Sequence, residues 1–301
     1  MYGTLDRRRG DRLEGLCEPA ADGVPSTRSR IRIGQGSDGI ERLEAGFVGP
    51  AFSPHRHDTY AIGITLSGIQ TFGYRGARRY CLPGQCHVLH PDELHDGGAG
   101  TEEGFGYRIV HIDPSLVQQA LGGRKLPFVA DPVVEPRVFR RALPPSFWRL
   151  DEPIDDVARI EIVTAVADFL DRASASGVRT RIPLRLDSVS RVRDLIVGDP
   201  ASRHSIEALE RVSGIDRWTL ARQFRAAFGT SPSNFRTMRQ LDRARRMIGR
   251  GLPLAEAAAD AGFADQSHMT RLFKRTYGLT PAKWAAALGT APKRATARRP
   301  A

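Results

Sequence analysis

Asp216 to Phe235, DRWTLARQFRAAFGTSPSNF, and Asp265 to Trp284, DQSHMTRLFKRTYGLTPAKW, are one pattern written twice at an offset of 49 residues. Asp216 matches Asp265, Leu220 matches Met269, Arg222 matches Arg271, Phe224 matches Phe273 and Arg225 matches Lys274. Phe228 then matches Tyr277, Gly229 matches Gly278, Pro232 matches Pro281 and Phe235 matches Trp284. So many agreements at one offset mark an internal repeat. In each copy Asp is a helix N-cap and apolar residues four apart make a buried stripe; Gly then ends the helix, and Ser-Pro or Thr-Pro starts the next. A short helix precedes each copy, Ser205 to Val212 and Leu254 to Ala261, with Gly214 or Gly262 in the intervening turn. Helix, glycine turn and capped helix with a polar, basic outer face make a helix-turn-helix, and the chain has it twice.

Between the copies, Phe235, Met238, Leu241, Ala244 and Met247-Ile248 mark one side of a long connecting helix that ends near Gly251. If each second helix enters a major groove, the connector holds the two roughly 34 Å apart, one turn of duplex. Arg217, Trp218, Ala221, Arg222 and Arg225 then face outward from the first reading helix, and Gln266, Ser267, Thr270, Arg271 and Lys274 from the second. Arg can pair bidentately with guanine and Gln with adenine, while Trp or a Thr methyl packs on thymine methyls. The competing reading is a pair of merely solvated helix faces.

Charge is partitioned in the same way. The net charge is +11, yet Met1 to Leu186 holds 24 basic and 24 acidic residues, whereas Asp187 to Ala301 holds 21 against 10. A basic module that meets a polyanion is thus joined to a neutral one with another task. The 301 residues, 41% hydrophobic, suffice for two cores. There is no apolar run of about eighteen residues and no signal-peptide core behind Arg7-Arg8-Arg9, so a cytoplasmic protein with no membrane partner is expected. Cys17, Cys81 and Cys86 are too few and too irregularly spaced for a disulfide framework.

The C-terminal half resembles the AraC/XylS family of bacterial transcription regulators, most specifically in Gly262-Phe263, Arg271-Leu-Phe-Lys274 and Gly278-Leu-Thr-Pro281. The resemblance covers Asp187 to about Leu288. It implies that Trp218 and Arg222 in the first reading helix, and Gln266, Ser267, Thr270 and Arg271 in the second, face bases; Arg217, Arg225 and Lys274 are then left for phosphates. Ala221 stands where the family often has a longer polar side chain, which weakens direct readout there. The resemblance also implies a sensing or dimerising domain at the other end, and an activator.

Residues 1–35 lack apolar periodicity and read as a flexible leader. From 36 to 113, short segments such as Tyr60 to Leu66, Arg79 to Leu82, Cys86 to His90 and Tyr107 to Ile112 alternate with Gly and Pro turns, the pattern of a small antiparallel barrel or sandwich. Asp113-Pro114 starts a helical linker or dimerisation region, 114–183. Within it Val157, Ile160, Val163, Ala167 and Leu170 form one apolar stripe, which packs on the barrel or on a second copy. Ser174 to Pro183 reads as the hinge, 184–288 as the double helix-turn-helix domain and 289–301 as a basic disordered tail. The expected fold is therefore multidomain α and β: an N-terminal cupin-like antiparallel β-barrel, a helical linker and a C-terminal all-α tandem helix-turn-helix.

Six of the eight histidines, 55, 57, 87, 90, 95 and 111, lie in the strand-rich half. Alternate residues of a strand share a face, so His55 and His57 converge, with His95 as a third group and His90 or His111 in reserve. Phe52 to Ile112 resembles a cupin barrel, in which such histidines line a pocket or bind a metal. Metal-binding cupins add a carboxylate three or four residues past the second histidine, where this chain has Ala61 and Ile62; Asp58 would face the opposite way. Three readings remain open: a small-molecule pocket lined by His55, His57 and His95 with no required metal, a divalent-metal site on the same three residues, or structural histidines.

The leading expectation is a sequence-specific, effector-controlled transcription regulator and not an enzyme. Its expected partners are promoter or operator duplex, a small-molecule effector, a second copy of the chain and RNA polymerase. A metal-dependent cupin dioxygenase or isomerase carrying a DNA-binding domain, and a passive architectural DNA-binding protein, are the alternatives.

Overall fold

The computed structural model describes residues 29–174 and 184–289. Of the expected leader, hinge and tail, residues 1–28, 175–183 and 290–301 lie outside this range.

Short strands punctuated by glycine dominate the first half: β1 (Arg30–Ile33), β2 (Ile40–Phe47), β3 (Pro50–His55), β4 (Tyr60–Gly68) and β5 (Gln70–Tyr74). They continue as β6 (Ala77–Cys81), β7 (Cys86–Leu89), β8 (His95–Ala99), β9 (Phe105–Ile112) and the short β10 (Val133–Val134). All pairings are antiparallel, in two sheets ordered β1-β2-β9-β4-β7-β10 and β3-β8-β5-β6. The barrel-like body is therefore two facing sheets that do not close on each other. β1 lies inside the segment expected to be leader: its four residues are too few to show periodicity beside the preceding arginines, yet they pair in register with Leu43 to Gly46.

The six-stranded sheet is covered on both faces. Ala61, Leu43, Tyr107 and Ile109 face the interior, while Tyr60, Ile62, Val88, Val110 and Ile112 face a helical layer. That layer is α1 (Pro114–Ala120), α2 (Pro136–Ala142), a 3-10 turn at Pro145–Trp148 and α3 (Asp156–Ala173). Asp113 caps α1, its carboxylate accepting the Ser115 N–H at 2.8 Å. In α3 the buried stripe is Ile162, Val163, Val166, Ala167, Phe169 and Leu170; Val157 and Ile160, expected in it, are 75% and 66% exposed. The buried stripe begins at Ile162; before it Val157 and Ile160 face water, while Arg159 Nε donates to the Asp38 carbonyl at 3.2 Å.

The second half is helical: α4 (Leu186–Gly198), α5 (Ile206–Ser213), α6 (Arg217–Phe228), α7 (Pro232–Gly249), α8 (Leu254–Asp260), α9 (Gln266–Tyr277) and α10 (Pro281–Ala287). The sequence repeat is also a packing repeat. Phe224–Phe228 and Phe273–Tyr277 have ring centroids 4.5 and 4.6 Å apart, and Phe228–Phe235 and Tyr277–Trp284 are at 6.2 and 6.3 Å. Each such buried ring contributes about 1.5–3 kcal/mol, so each aromatic triad is a small core that fixes one reading helix against its neighbours. α7 serves both units: Phe235 completes the first triad, while Gln240 Nε2 donates to the carbonyls of Ala261 and Gly262 in the turn of the second unit.

Candidate functional site

Two places concentrate exposed or unsatisfied polar chemistry, the outer faces of α6 and α9 and the cavity inside the sheets. Asp216 caps α6, its carboxylate accepting from the N–H groups of Trp218 and Thr219, both at 3.0 Å; Asp265 caps α9 by accepting from His268 N–H at 2.7 Å. Both helices end on a left-handed glycine, Gly229 and Gly278. These caps turn the same faces outward in both copies. Trp218 is 72% exposed, and Arg222, Gln266, Ser267 and Arg271 are exposed, with Thr270 half-buried beside them. A tryptophan this large left in water on a capped helix is an unused contact surface. Of the three residues assigned to phosphates, Lys274 is exposed, Arg217 is held by Glu210 at 3.0 Å, and Arg225 reaches across to Asp92 of the sheet domain, also at 3.0 Å.

Inside the sheets a cavity of about 1130 Å³ is lined by His55, His57, His87, His95 and His111, together with Phe52, Phe72, Leu89, Tyr107 and Ile109. The first strand of the motif ends at His55, so strand alternation does not govern His57, which lies in the turn that follows. The histidines nevertheless gather: ring centroids are 4.2 Å apart for His55–His95, 4.7 Å for His57–His95, 6.2 Å for His55–His57 and 5.1 Å for His57–His111. β3 pairing with β8 puts His55 directly opposite His95. His90, one of the reserve groups, points elsewhere: its Nε2 accepts from Val129 N–H at 2.9 Å and its Nδ1 meets the Tyr74 hydroxyl at 2.9 Å.

Nδ1 of His55, His57 and His95 faces the carbonyls of Ser53, Thr59 and Glu93 at 2.8, 3.0 and 3.0 Å. A carbonyl partner requires the proton on Nδ1, which leaves each Nε2 lone pair free. Burial holds His55, His87 and His111 down to about 4, and pushes His57 and His95 well below the ordinary histidine value. All five rings are neutral at pH 7. His57 Nε2 and both nitrogens of His87 are buried with no hydrogen-bond partner among the described residues. His87 lies against Gly63, where a Cβ would stand 2.3 Å from its ring.

The cavity's other wall comes from the helical half. Arg239, Asp242 and Arg245, three residues apart on α7, carry charge into the cavity and are joined there by Tyr277 and Trp284. Arg239 pairs with Asp58 at 2.8 Å and Asp242 at 3.1 Å, Arg245 pairs with Glu41 at 2.6 Å, and Tyr277 donates its hydroxyl proton to Asp242 at 2.7 Å. Asp58 thus faces the cavity rather than away from it, because the chain is no longer a strand there. Burial raises its carboxyl to about 6 against the pull of Arg239. In Asp242 burial is outweighed by Arg239 and Arg245, and its carboxyl stays below the usual range. Three buried N–H donors here, Arg239 Nε, Arg245 Nε and Trp284 Nε1, have no acceptor among the described residues.

A metal needs three or more donors converging on one point. Among the described residues no three His, Cys, Asp or Glu side chains are placed to grip an ion. The positions where a carboxylate would complete a cupin centre are spent on packing, Ala61 in the interior and Ile62 against the helices. As they stand the three histidines do not fit a metal. Spacing marks the His55–His57 pair in the sequence; it does not mark His87 or the α7 charges. The signal for the latter was present in Arg239-Gln-Leu-Asp242-Arg-Ala-Arg245, where charges border the apolar stripe of Met238, Leu241 and Ala244.

A profile of the AraC-like ligand-binding domain matches residues 39–165, and one of the helix-turn-helix domain matches residues 209–287. The uncharacterised regulator YbfI of Bacillus subtilis is 25% identical over 227 residues, covering 72% of this chain and 81% of its own length. The regulator RipA of Corynebacterium glutamicum is 32% identical over 90 residues, 30% of this chain and 27% of RipA. The crystal structure of ToxT from Vibrio cholerae superposes with a TM-score of 0.58 at 12% identity, covering 84% of this chain and 99% of ToxT. ToxT has also been solved with an unsaturated fatty acid bound, at a TM-score of 0.54 over 86% of this chain and 99% of ToxT, again at 12% identity. The likeness to ToxT is one of fold.

Proposed function

We propose, since this chain is a transcription regulator of the AraC family, that α6 and α9 read two successive major grooves of a promoter or operator under control of a small molecule held in the histidine cavity. The observation that carries the reading is the duplicated unit, two aromatic triads of matching geometry behind two capped helices that expose Trp218, Arg222, Gln266, Ser267 and Arg271. Trp218 and Arg222 contact bases from the first helix and Gln266, Ser267, Thr270 and Arg271 from the second, while Arg217, Arg225 and Lys274 hold phosphates. A duplex selected from a random pool by the full chain tests it: Arg222→Ala and Arg271→Ala each weaken binding by roughly 1–3 kcal/mol and relax the preference at one base position. Unchanged binding in both variants would remove these assignments.

The effector is an apolar molecule with an acceptor group such as a carboxylate. The unpartnered N–H groups of Arg239, Arg245 and Trp284 ask for an acceptor, since buried donors without one are costly; Phe52, Phe72, Leu89, Tyr107 and Ile109 supply the apolar walls. The fatty acid bound by ToxT is a molecule of this class. His55, His57 and His95 offer it Nε2 as hydrogen-bond acceptors, so the same molecule also carries a donor such as a hydroxyl group. Thermal shift against a panel of carboxylic acids, with His57→Ala as control, reads this out. The competing reading, a divalent-metal centre, runs against the placement of these three rings. A stoichiometric metal lost in His57→Ala, together with turnover, would replace the regulator-only account by the enzyme reading.

The exposed Val157 and Ile160 near the start of α3 support a homodimer. A promoter-bound dimer of this kind acts as an activator that touches RNA polymerase. Among the described residues no helix is long and apolar enough to cross a membrane.

A further inference from the structure

The segment that carries His55 and His57 is tied to both reading helices. Ser53 N–H donates to the carbonyl of Gly278 at 3.1 Å and Arg56 N–H to that of Arg275 at 3.2 Å, which fastens it to α9. Toward α6 the polar connection runs through Asp92. Its N–H donates to the carbonyl of His57 at 2.8 Å, its carbonyl accepts from the Arg56 guanidinium at 2.6 Å, and its carboxylate takes Arg225 of α6 at 3.0 Å. Asp92 sits at φ +63°, in the left-handed region that few residues other than glycine adopt. The preceding Pro91 lies against the glycine that ends α6, where a Cβ on Gly229 would stand 2.5 Å from it. A disfavoured backbone persists only where its surroundings over-determine it, and here three bonds do so.

We propose that Asp92 is the positioning residue through which the histidine segment controls the first reading helix, its carboxylate occupying Arg225 in place of a DNA phosphate. The idea deepens the reading of Arg225 as a phosphate contact and rests on it. A carboxylate and a phosphate oxygen offer a guanidinium the same charge-assisted bonds, so the two compete for it. A molecule that moves His57 pulls on the Asp92 N–H it holds, and so sets whether Arg225 is available to the duplex. The coupling needs no contact between effector and α6, only the hydrogen bond from Asp92 to His57 and the ion pair.

The test is the affinity of the effector-free full chain for a duplex that it has selected from a random pool, measured across salt. Asp92→Asn removes the charge and keeps the shape, and Asn tolerates the left-handed region; Asp92→Gly relieves the backbone altogether and must agree with it. The expected result is binding roughly two- to five-fold tighter, the range of an exposed ion pair, with a salt slope steeper by up to about 0.9, one phosphate. In an Arg225→Ala background the gain disappears. The proposal is overturned if Asp92→Asn binds like the unmodified chain, or if its gain persists undiminished with Arg225→Ala, which would make it a general charge effect. Should the gain of Asp92→Asn come with no change in salt slope, the phosphate reading of Arg225 falls, and the latch with it.

Discussion

His90 is the residue whose role is most sharply fixed by its surroundings. It joins Tyr74 to Val129, stacks on Phe128 at 4.3 Å, and is pushed down to about 4 by burial. In the unfolded chain it titrates near 6.5. Between those values the unfolded chain holds a proton that the folded one refuses, so the stabilisation is complete above about pH 6.5 and is lost as pH falls toward 4, at up to about 1.4 kcal/mol per pH unit. Urea unfolding followed by fluorescence checks this: His90→Leu is less stable at pH 7.5, with a flatter acid dependence than the unmodified chain, whereas parallel curves would contradict the assignment. At this scale the sequence was only partly legible. The His55–His57 spacing announced a cluster because two imidazoles so close are conspicuous, but His87 and Arg239 gain meaning only from what folds against them. Strand alternation failed at Asp58 because β3 stops three residues earlier.

Among the elements, the helices were the most legible, because caps and aromatic spacing are local and occur twice. The strand β1 and the bulged β3 depend on partners far along the chain and were read less well; the two register shifts of β3 against β8 leave no trace in composition. The glycines that end these helices separate two physical roles. Gly214 has φ +70° with open space around its Cβ position, so Gly214→Ala costs about 1 kcal/mol of backbone strain. Gly278 has the same φ, but an added Cβ would meet Phe52 Cβ at 2.8 Å and His55 Nδ1 at 3.0 Å. Gly278→Ala therefore lowers the melting temperature more than Gly214→Ala, and it separates α9 from β3. Calorimetry and limited proteolysis should show that order, and equal effects would argue against a tight α9–β3 contact.

Across the whole molecule, the charge split foretold two tasks, and the repeat foretold how the basic half is built. What neither could convey is that the halves share a cavity. The apolar interior of the sheets runs without a break into the core of the second helix-turn-helix unit, and α7 closes it with paired charges. Under the proposed function this arrangement couples the two sites, and a carboxylic acid that shifts the affinity for duplex then has its own affinity shifted by DNA by the same factor. Paired titrations by fluorescence anisotropy and calorimetry test that equality. Under the proposed function one chain reads DNA with two equivalent helices. Methylation-protection footprinting of the selected duplex, at one chain per site, tests it most directly. Two protected major-groove stretches are expected, centred about 10–10.5 base pairs apart on one face of the duplex, with Arg222→Ala removing protection from one and Arg271→Ala from the other. A single protected stretch, or uniform protection untouched by either substitution, would contradict it.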